Sequence, residues 1–458
     1  MKKGGVLRLK LGPIVLGCIS ALTLCTVTVS QAGMSAASDP IAVRASPSNV
    51  VAVNLGGSLF KGPDGTVYLQ DSCAEQTHST CGTIDKVKGS QQEALYQSFR
   101  EGPQSYELEV APGQYALTLF FAERPGVENR RFSVWVGGKE RLADFNIPKA
   151  RDGLTEAALA RTLPVHTTNG SIVLEFRAAP DMPLISAFRL EPVQSQALGT
   201  LRWADEFDGT ALDSRFWSVD EWPARKVNDE DQAYVNSLEN LRLEDGKLII
   251  EAHKVSGSDA RYHSGRIHSS GKLDFMYGRL DVRAKLPRGQ GVWPAIWLLP
   301  THPYRYATIC DARTPDWQGN ANCDAWPNSG EIDLMEHVGF EPGVVHGTVH
   351  TKGYYWVEGN QRKGSIVLPN LAEDFHVYTL QWTPDRMDML VDGLRYFTYT
   401  RDDEGWRQWP FDHSFHVIMN LAVGGMWGRA GGPIDDSIFP QRMMVDYVRI
   451  YDMNQIAE

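Results

Sequence analysis

The sequence predicts an all-β protein made of two consecutive β-sandwich domains. Short runs rich in Val, Ile, Leu, Phe and Tyr recur along the chain, and clusters of Gly, Pro and Asn separate them, which is typical of strands joined by turns. The runs form two blocks, residues 41–192 and 200–453, and a polar stretch at 193–199 is interpreted as a linker. Each block is long enough to bury a hydrophobic core of its own.

Residues 1–32 have the pattern of an export signal. Lys2 and Lys3 precede an uncharged apolar stretch, Leu11–Val29, and the segment ends in Ser-Gln-Ala. Cleavage after Ala32 would make the protein secreted or periplasmic. Two alternatives stay open, because the apolar stretch is just long enough to remain as a membrane anchor and the residues before Cys18 resemble a lipoprotein box.

The first block is predicted to be a sandwich of short strands. We place those strands at Val51–Leu55, Tyr106–Val110, Tyr115–Phe121, Phe132–Val136 and Ile172–Phe176.

Four short motifs in this block resemble the malectin family of carbohydrate-binding domains. They are Asn54–Gly57, Leu95–Arg100, Phe120–Glu123 and Asp144–Ile147. The resemblance implies a domain that holds glucan near an active site and so raises the local substrate concentration. Its first candidates for sugar contacts are Tyr68, Tyr96 and Phe121. The alternative is a domain that only stabilises or spaces the second block, with Phe121 in the core.

The cysteines fit export to an oxidising compartment. Cys18 and Cys25 fall in the predicted signal, and the other four form two locally spaced pairs, for which we predict the disulfides Cys73–Cys81 and Cys310–Cys323. The spacings are not those of a zinc site. The second pair would close an insertion, Ile309–Asp324, just before the acidic run that begins at Glu331. The insertion would either shape the end of a cleft there or serve only as a stabilising loop.

Charge argues against a nucleic-acid partner. The chain has 45 Lys and Arg against 56 Asp and Glu, a formal net charge of −11, which repels polyanions. A neutral polysaccharide is indifferent to that sign. We expect a monomer.

The second block has the same pattern of apolar runs separated by turn residues. It is predicted to form two packed, curved antiparallel sheets with an open concave cleft. Asp392-Gly393 predicts a hairpin turn. The strands are expected at Lys247–Ala252, Gly278–Ala284, Val292–Leu299, Glu331–Val338, Val344–Thr351, His376–Trp382, Met387–Val391, His416–Val423 and Met444–Tyr451.

One of these strands carries three carboxylates. In Gly330–Glu336, acidic and apolar residues alternate, so Glu331 and Asp333 share one face of the strand. Glu336 breaks the alternation. A β-bulge at Leu334-Met335 would return it to the face of the other two.

Carboxylates crowded on one face repel each other and raise at least one pKa, which is typical of glycosidase active sites. A retaining glycosidase needs a nucleophile and an acid/base about 5–5.5 Å apart. The alternative is an ordinary solvent-facing strand with polar residues on one side.

The surroundings of this strand favour the enzymatic interpretation, since Trp residues beside carboxylates suit sugar rings. The chain from about Leu201 to Tyr451 resembles glycoside hydrolase family 16, within it the laminarinase-like endo-β-1,3-glucanases. Besides the acidic strand, the motifs that carry the resemblance are Asp205–Phe207, Asn228–Tyr234, Ser264–Ile267, Tyr277–Arg279, Gly291–Pro300, Trp326-Pro327, His346–Thr351 and Val445–Tyr451.

The resemblance implies a concanavalin-like jelly roll in which Glu331 is the nucleophile, Glu336 the general acid/base and Asp333 the residue that orients the nucleophile. We expect Glu331 to be ionised at neutral pH and Glu336 to keep its proton longer. The resemblance also implies substrate-binding residues, although a single Trp or His can equally be structural. These are Trp293, Trp297, Trp326, Trp427, His350, Arg266 and Asn228.

No cofactor is expected for catalysis. A structural calcium ion away from the cleft is implied by the resemblance, held by Glu206, the backbone carbonyl of Gly246 and Asp446, since oxygen ligands suit calcium.

Taken together, these expectations describe a secreted retaining endo-glycosidase that hydrolyses β-1,3-glucan, with mixed-linkage β-1,3-1,4-glucan as a second substrate. A β-glucan transglycosylase would use the same covalent intermediate, so it remains an alternative. A non-catalytic glucan receptor is a further alternative. Such receptors lack the catalytic glutamates that this chain retains.

Overall fold

The computed structural model describes residues 40–44, 50–71, 73, 78–193, 199–314, 316–402 and 405–453. The export signal with Cys18 and Cys25, and most of the linker, lie outside the described residues. Within the described ranges, no helix has the length and apolar character needed to cross a membrane.

The N-terminal block contains short strands and two short helices, α1 (Glu93–Gln97) and α2 (Ile147–Ala150). The strands are β1 (Ile41–Arg44), β2 (Val51–Asn54), β3 (Phe60–Lys61), β4 (Val67–Gln70), β5 (Thr80–Thr83), β6 (Ser98–Glu101), β7 (Gln104–Glu109), β8 (Gly113–Phe121), β9 (Phe132–Val136), β10 (Lys139–Phe145), β11 (Leu159–Thr167), β12 (Ser171–Ala178), β13 (Leu184–Ile185) and β14 (Ala187–Pro192).

Within the described residues, the C-terminal block is also mostly strands, with two α-helical turns, α3 (Ala325–Asn328) and α4 (Gly425–Gly428), and three 3₁₀ turns at Trp356–Glu358, Gly405–Arg407 and Asp436–Ile438. The strands are β15 (Thr200–Asp205), β16 (Ser218–Val219), β17 (Gln232–Tyr234), β18 (Leu241–Leu243), β19 (Leu248–Lys254), β20 (Tyr262–Ser264), β21 (Arg266–His268), β22 (Asp274–Phe275), β23 (Gly278–Lys285), β24 (Val292–Pro300), β25 (Glu331–Glu336), β26 (Val344–His350), β27 (Arg362–Val367), β28 (His376–Trp382), β29 (Arg386–Val391), β30 (Leu394–Thr400), β31 (Phe415–Val423) and β32 (Gln441–Asp452).

The N-terminal block is the predicted β-sandwich. Strands β1-β7-β12-β9-β10 form one sheet, and β11-β8-β14-β2-β4-β3 run side by side in the other. A core of buried apolar side chains lies between them, with Leu174 of β12 and Leu119 and Phe188 from the second sheet fully buried. The all-β prediction is therefore confirmed for this block.

The C-terminal block is also a two-sheet sandwich, as predicted. The inner sheet has the order β16-β21-β31-β24-β25-β26-β27, and the outer sheet runs β17-β20-β19-β32-β23-β28-β29-β30. Fully buried side chains such as Ile296 and Val349 of the inner sheet and Leu380 of the outer sheet fill the space between them. This packing leaves the opposite face of the inner sheet for the site.

The predicted hairpin is confirmed. Val391 of β29 pairs with Leu394 of β30, and the two residues between them have φ of 51° and 79°. Both turn residues are left-handed, which Asp392-Gly393 accommodates at low cost.

The two blocks share one sheet, which the sequence did not predict. Strand β11 pairs in parallel with β27, with Arg161 opposite Ser365, so the sheet has fourteen strands that run through both domains. The Ser365 hydroxyl also donates to the carbonyl of Ala160 at 2.7 Å. The N-terminal domain keeps a core of its own and is docked edge to edge on the catalytic sheet.

Both predicted disulfides, Cys73–Cys81 and Cys310–Cys323, are formed. The first lies in the N-terminal domain, where Cys81 belongs to β5. The second closes the insertion that precedes β25.

Candidate active site

The predicted bulge lies in β25. On one side Trp297 and Ile296 of β24 pair with Asp333 and Met335, and the pairing skips Leu334. On the other side, the three-residue step from Asp333 to Glu336 faces only a two-residue step of β26. The extra residue brings Glu336 back to the cleft face.

A tyrosine from the outer sheet supports the bulge. The hydroxyl of Tyr396, a buried residue of β30, donates to the carbonyl of Leu334 at 2.5 Å. The bulged backbone therefore keeps a hydrogen-bond partner in the core, where an unpaired carbonyl would be costly.

Each glutamate accepts a hydrogen bond from a tryptophan indole. Trp326 Nε1 donates to Glu331 Oε2 at 3.1 Å, and Trp293 Nε1 donates to Glu336 Oε1 at 3.0 Å. Asp333 lies between them and shares a side-chain hydrogen bond with Glu331. The structure thus brings the three predicted catalytic carboxyls together on the cleft floor.

His350, on the neighbouring strand β26, contacts the same group. Its Nε2 lies 3.5 Å from Asp333 Oδ2 and 3.8 Å from Glu331 Oε1. Burial lowers the pKa of His350 to about 3, so the imidazole is neutral at ordinary pH. It can share hydrogen bonds with the carboxyls but does not supply a positive charge.

Burial shifts the pKa of all three carboxyls upwards. It raises the pKa of Glu331 to about 8, with repulsion from Glu336 adding to the effect, and the pKa of Glu336 to about 7. The pKa of Asp333 is raised well above its usual value, first by burial and then by its two acidic neighbours. This upward shift runs against the expectation that Glu331 is ionised at neutral pH. The desolvation cost outweighs the donors that favour its charged form.

The predicted tryptophans surround these carboxyls. Trp293 packs edge-on against Trp427, with ring centroids 5.6 Å apart, and Trp326 lies 5.8 Å from the ring of His350. Trp293, Trp297, Trp326 and Trp427 are all half-buried, so none belongs to the fully buried core. Each one leaves part of its ring open to the cleft.

Arg266 and Asn228 are both close to this wall. The Arg266 guanidinium lies 4.1 Å from the ring of Trp222 and 5.0 Å from that of Trp297, and its Nε donates to Asp220 at 2.7 Å. Asn228 donates to a buried carboxylate, Glu230, at 3.2 Å. Both side chains are oriented by protein contacts.

The disulfide-closed insertion forms a wall at one end of the cleft. Gln318 accepts a hydrogen bond from Arg266 at 3.3 Å, and Asp316 pairs with Lys226 at 3.2 Å. Together with Trp222 these residues line a cavity of about 270 Å³. The insertion therefore contacts Lys226 and Arg266 on the other side of this cavity.

Sequence reasoning missed two residues of this region, Trp222 and Lys363. Lys363 lies opposite Thr348, which lies opposite Asp333, so the three share the cleft face. No strand was predicted around Lys363, because Arg-Lys-Gly-Ser at the start of β27 is typical of a loop. Trp222 lies outside every predicted strand and had no periodic signal.

The aromatic candidates in the N-terminal domain were wrong. Tyr68, Tyr96 and Phe121 are 0%, 5% and 0% exposed and pack in the core. The rings of Tyr68 and Tyr96 both pack edge-on against Phe120. Aromatic side chains on β4, α1 and β8 face inwards because burying their apolar area stabilises the core of the sandwich.

The residues expected to bind calcium do not fit an ion as they are placed. Both carboxylate oxygens of Glu206 accept hydrogen bonds from Arg449 at 2.8 Å, and Asp446 is paired with Arg283. Gly246 is a left-handed turn residue beside Asp208. Guanidinium groups hold the two carboxylates that the ion would need, so no step of the chemistry is assigned to it.

Comparisons with known proteins match both domains of the chain. The model of the malectin domain matches residues 49–189, and the model of glycosyl hydrolases family 16 matches residues 228–449. A beta-glucanase of Rhodothermus marinus is 45% identical over 258 residues, which cover 55% of this chain and 84% of that protein. Glucan endo-1,3-beta-glucosidase A1 of Niallia circulans is 39% identical over 280 residues, covering 55% of this chain and 37% of that protein.

The fold agrees with these matches. The X-ray structure of the laminarinase from Rhodothermus marinus superimposes with a TM-score of 0.51 and 43% identity, covering 56% of this chain and 98% of that structure. The jelly-roll prediction is therefore confirmed. On its sequence, its fold and the extent of the match, this chain belongs to glycosyl hydrolase family 16 and carries a malectin domain in front of the catalytic domain.

Proposed function

We propose that the protein is a retaining endo-β-1,3-glucanase that hydrolyses laminarin-type glucan, with mixed-linkage β-1,3-1,4-glucan as a second substrate. The observation that carries the proposal is the bulged strand β25, which holds two glutamates on the cleft floor, each under a tryptophan indole. The similarity to glucan endo-1,3-beta-glucosidase A1 of Niallia circulans and to the laminarinase of Rhodothermus marinus supports the β-1,3 linkage.

In this mechanism Glu331 attacks the anomeric carbon while Glu336 donates its proton to the departing glycosidic oxygen. The covalent glycosyl-enzyme is then released by water, whose proton returns to Glu336. Two donors, the Trp326 indole and the Asp333 carboxyl, favour the charged form of Glu331 that the attack requires, whereas Glu336 has one, the Trp293 indole. Asp333 orients the nucleophile through that hydrogen bond.

The half-buried tryptophans, which lie on β24, α3 and α4, supply apolar faces for sugar rings in an open cleft. An open cleft of this kind admits the middle of a chain, which supports endo cleavage. We further propose that the protein is exported, since its two disulfides suit an oxidising compartment.

The substrate proposal is tested with purified protein on laminarin, lichenan, agarose and carrageenan. Short oligosaccharides released from laminarin are expected, with lichenan cut more slowly. Cleavage of agarose or carrageenan alone would refute the linkage. Products longer than the starting fragments would identify a transglycosylase, and no products from any glucan would favour a receptor.

The mechanism is tested by the configuration of the first products and by substitution. Proton NMR of an early digest is expected to show the β-anomer first, and early α-anomer would exclude a retaining enzyme. Glu331→Gln and Glu336→Gln should each lower kcat by about 10²–10⁴-fold while the fold stays intact. Full activity in either variant would remove that residue from the mechanism.

A further inference from the structure

The N-terminal domain contributes a charged group to the neighbourhood of the active site. Asp152, just after α2, accepts a hydrogen bond from the ammonium group of Lys363 on β27 at 2.5 Å. The Lys363 side chain is 7% exposed and that of Asp152 is 39% exposed. A largely buried ammonium depends on its counter-ion, because removing one partner of such a pair is strongly destabilising. Among the described residues, only Asp152 forms an ion pair with Lys363.

Lys363 in turn touches the aromatic group that holds Glu336. Its ammonium lies 6.0 Å from the ring centroid of Trp427, which is within the range of a cation–π contact. Trp427 packs edge-on against Trp293, whose indole donates to Glu336. An unbroken series of contacts therefore joins a carboxylate of the N-terminal domain to a catalytic carboxyl.

A second side chain, His346, also packs against Trp427. His346, opposite Glu336 on β26, lies 5.1 Å from the Trp427 ring. Its Nε2 is 2.7 Å from Glu341. Trp427 is thus held between His346 and Lys363, and of these two neighbours only Lys363 is itself anchored by the other domain.

We propose that Asp152 is a positioning residue of the active site, which holds Lys363 against Trp427 and through Trp293 fixes the position of Glu336. The proposal rests on the proposed function, because it assumes that Glu336 is the acid/base. It assigns the malectin domain a part in the catalytic step, which differs from the capture of substrate by a tethered domain.

The charges of Asp152 and Lys363 give the proposal a second test, the pH dependence of the rate, besides a loss of rate. The negative charge of Asp152 raises the pKa of Glu336, and the positive charge of Lys363 lowers it. Removing one or the other should therefore move the pH profile in opposite directions. Other charged or titratable groups also interact electrostatically with these residues. Arg151 and Glu341 act on Lys363, Arg151 and His346 act on Asp152, and Glu341 and Arg161 act on His346.

The experiment compares Asp152→Asn, Lys363→Met and the double variant in the full chain, with kcat, KM and kcat/KM measured against pH on laminarin. Asp144→Asn is the matched control, since Asp144 is also a left-handed residue of the N-terminal domain and forms an ion pair with Arg131 that is exposed. Thermal unfolding and near-ultraviolet circular dichroism of each variant report the fold. The double variant removes both charges of the Asp152–Lys363 pair and keeps the test open if a single variant fails to fold. In every variant without Asp152, the guanidinium of Arg151 loses its ion pair with that residue but keeps its hydrogen bonds to the carbonyls of Ala158 and Gln361.

We expect each single variant to lower kcat about tenfold with little change in KM, since a small displacement of a catalytic group is costly. The pH profile should move to lower pH in Asp152→Asn and to higher pH in Lys363→Met. The double variant should also lose kcat but keep a pH profile close to that of the parent, and Asp144→Asn should match the parent in every measurement.

Folded variants that keep the parental kcat and pH profile would overturn the proposal. A loss of activity that only follows a loss of folded protein, with no shift of the profile, would also overturn it in favour of a structural pair. Inactivity of the parent on every glucan would instead overturn the proposed function, so the two failures are distinguishable.

Discussion

At the scale of single residues, the carboxyls of the cleft hold protons more tightly than ordinary glutamates do. With a pKa of about 8 for Glu331 and about 7 for Glu336, the pair titrates close to neutrality. The two groups interact, so the two values belong to the pair as a whole. Catalysis needs the singly protonated form of the pair in which Glu331 is ionised and Glu336 holds the proton, although the two values place the proton more on Glu331.

This form of the pair is most populated between the two pKa values, so kcat/KM is expected to peak between about pH 7 and 8. It should fall at lower pH as both carboxyls become protonated and at higher pH as both ionise. Initial rates on laminarin across pH 4 to 10 check this expectation. An optimum near pH 5, close to the ordinary pKa of a glutamate, would contradict it.

The same shifts affect stability with a definite sign. Glutamates whose pKa is raised on folding bind more protons in the folded than in the unfolded state, so their contribution to stability decreases as the pH rises from about 4.5 to about 8. The sequence predicted which carboxyls lie together, because strand alternation and one extra residue decide that. It did not predict the pKa of Glu331, which depends on burial by residues distant in the chain.

At the scale of elements, the bulge in β25 depends on a hydrogen bond from the opposite sheet. Tyr396→Phe would leave the carbonyl of Leu334 without its partner, at a cost of about 1–3 kcal/mol in the free energy of unfolding. Since the bulge sets the direction of Glu336, kcat should also fall about tenfold with KM nearly unchanged. Denaturant unfolding and steady-state kinetics measure the two effects.

Tyr378→Phe is the control for that variant. Tyr378 of β28 is equally buried, and its hydroxyl has no hydrogen-bond partner among the described residues. Removing this hydroxyl should leave stability and kcat unchanged or slightly improved. Equal losses in both variants would mean that the bond to Leu334 has no special part in shaping the site.

The disulfide-closed insertion sets the shape of one end of the cleft. Opening it by Cys310→Ser together with Cys323→Ser should loosen the contacts of Asp316 and Gln318 and change the lengths of the oligosaccharides released from laminarin. Stability should fall by about 2–3 kcal/mol from the added freedom of the unfolded loop. Chromatography of the products measures the first effect.

Opening the other disulfide, Cys73–Cys81, serves as the comparison, since it lies in the N-terminal domain. It should lower stability but leave the product lengths as they are. If both pairs of substitutions alter the products alike, the insertion does not act as a wall of the cleft.

The strands also show which elements a local sequence pattern can predict and which it cannot. Fourteen of the 32 strands in the described part of the chain follow from runs of apolar residues and from turn signals. Strand β27 was missed because its first residues are charged or small and it pairs with β11, some two hundred residues earlier in the chain. Pairing over such a distance leaves no trace in local periodicity.

At the scale of the whole molecule, a buried ion pair joins the two domains. Arg395 of the catalytic domain donates to Glu191 of β14 from two nitrogens, at 2.5 and 3.2 Å, and both side chains are less than 10% exposed. With the shared sheet, this pair should make the protein unfold in one cooperative transition.

Arg395→Met should lower the free energy of unfolding by about 3 kcal/mol, because the buried Glu191 and Asp388 each lose one cationic partner. Glu191 then keeps only Arg189, and Asp388 keeps only Arg386. Differential scanning calorimetry should then show a broadened or split transition. Arg215→Met, which breaks an exposed pair with Asp213, should leave the scan unchanged. Two separate transitions in the parent would contradict the single cooperative unit.

The shared sheet also has a consequence for solubility. Without the N-terminal domain, β27 would be an outer strand of the catalytic sheet, with unpaired backbone groups facing water. Such an edge can pair with the same edge of another molecule. The malectin domain therefore acts as a cap for the enzyme, and a catalytic fragment cut at residue 200 is expected to self-associate where the full chain does not.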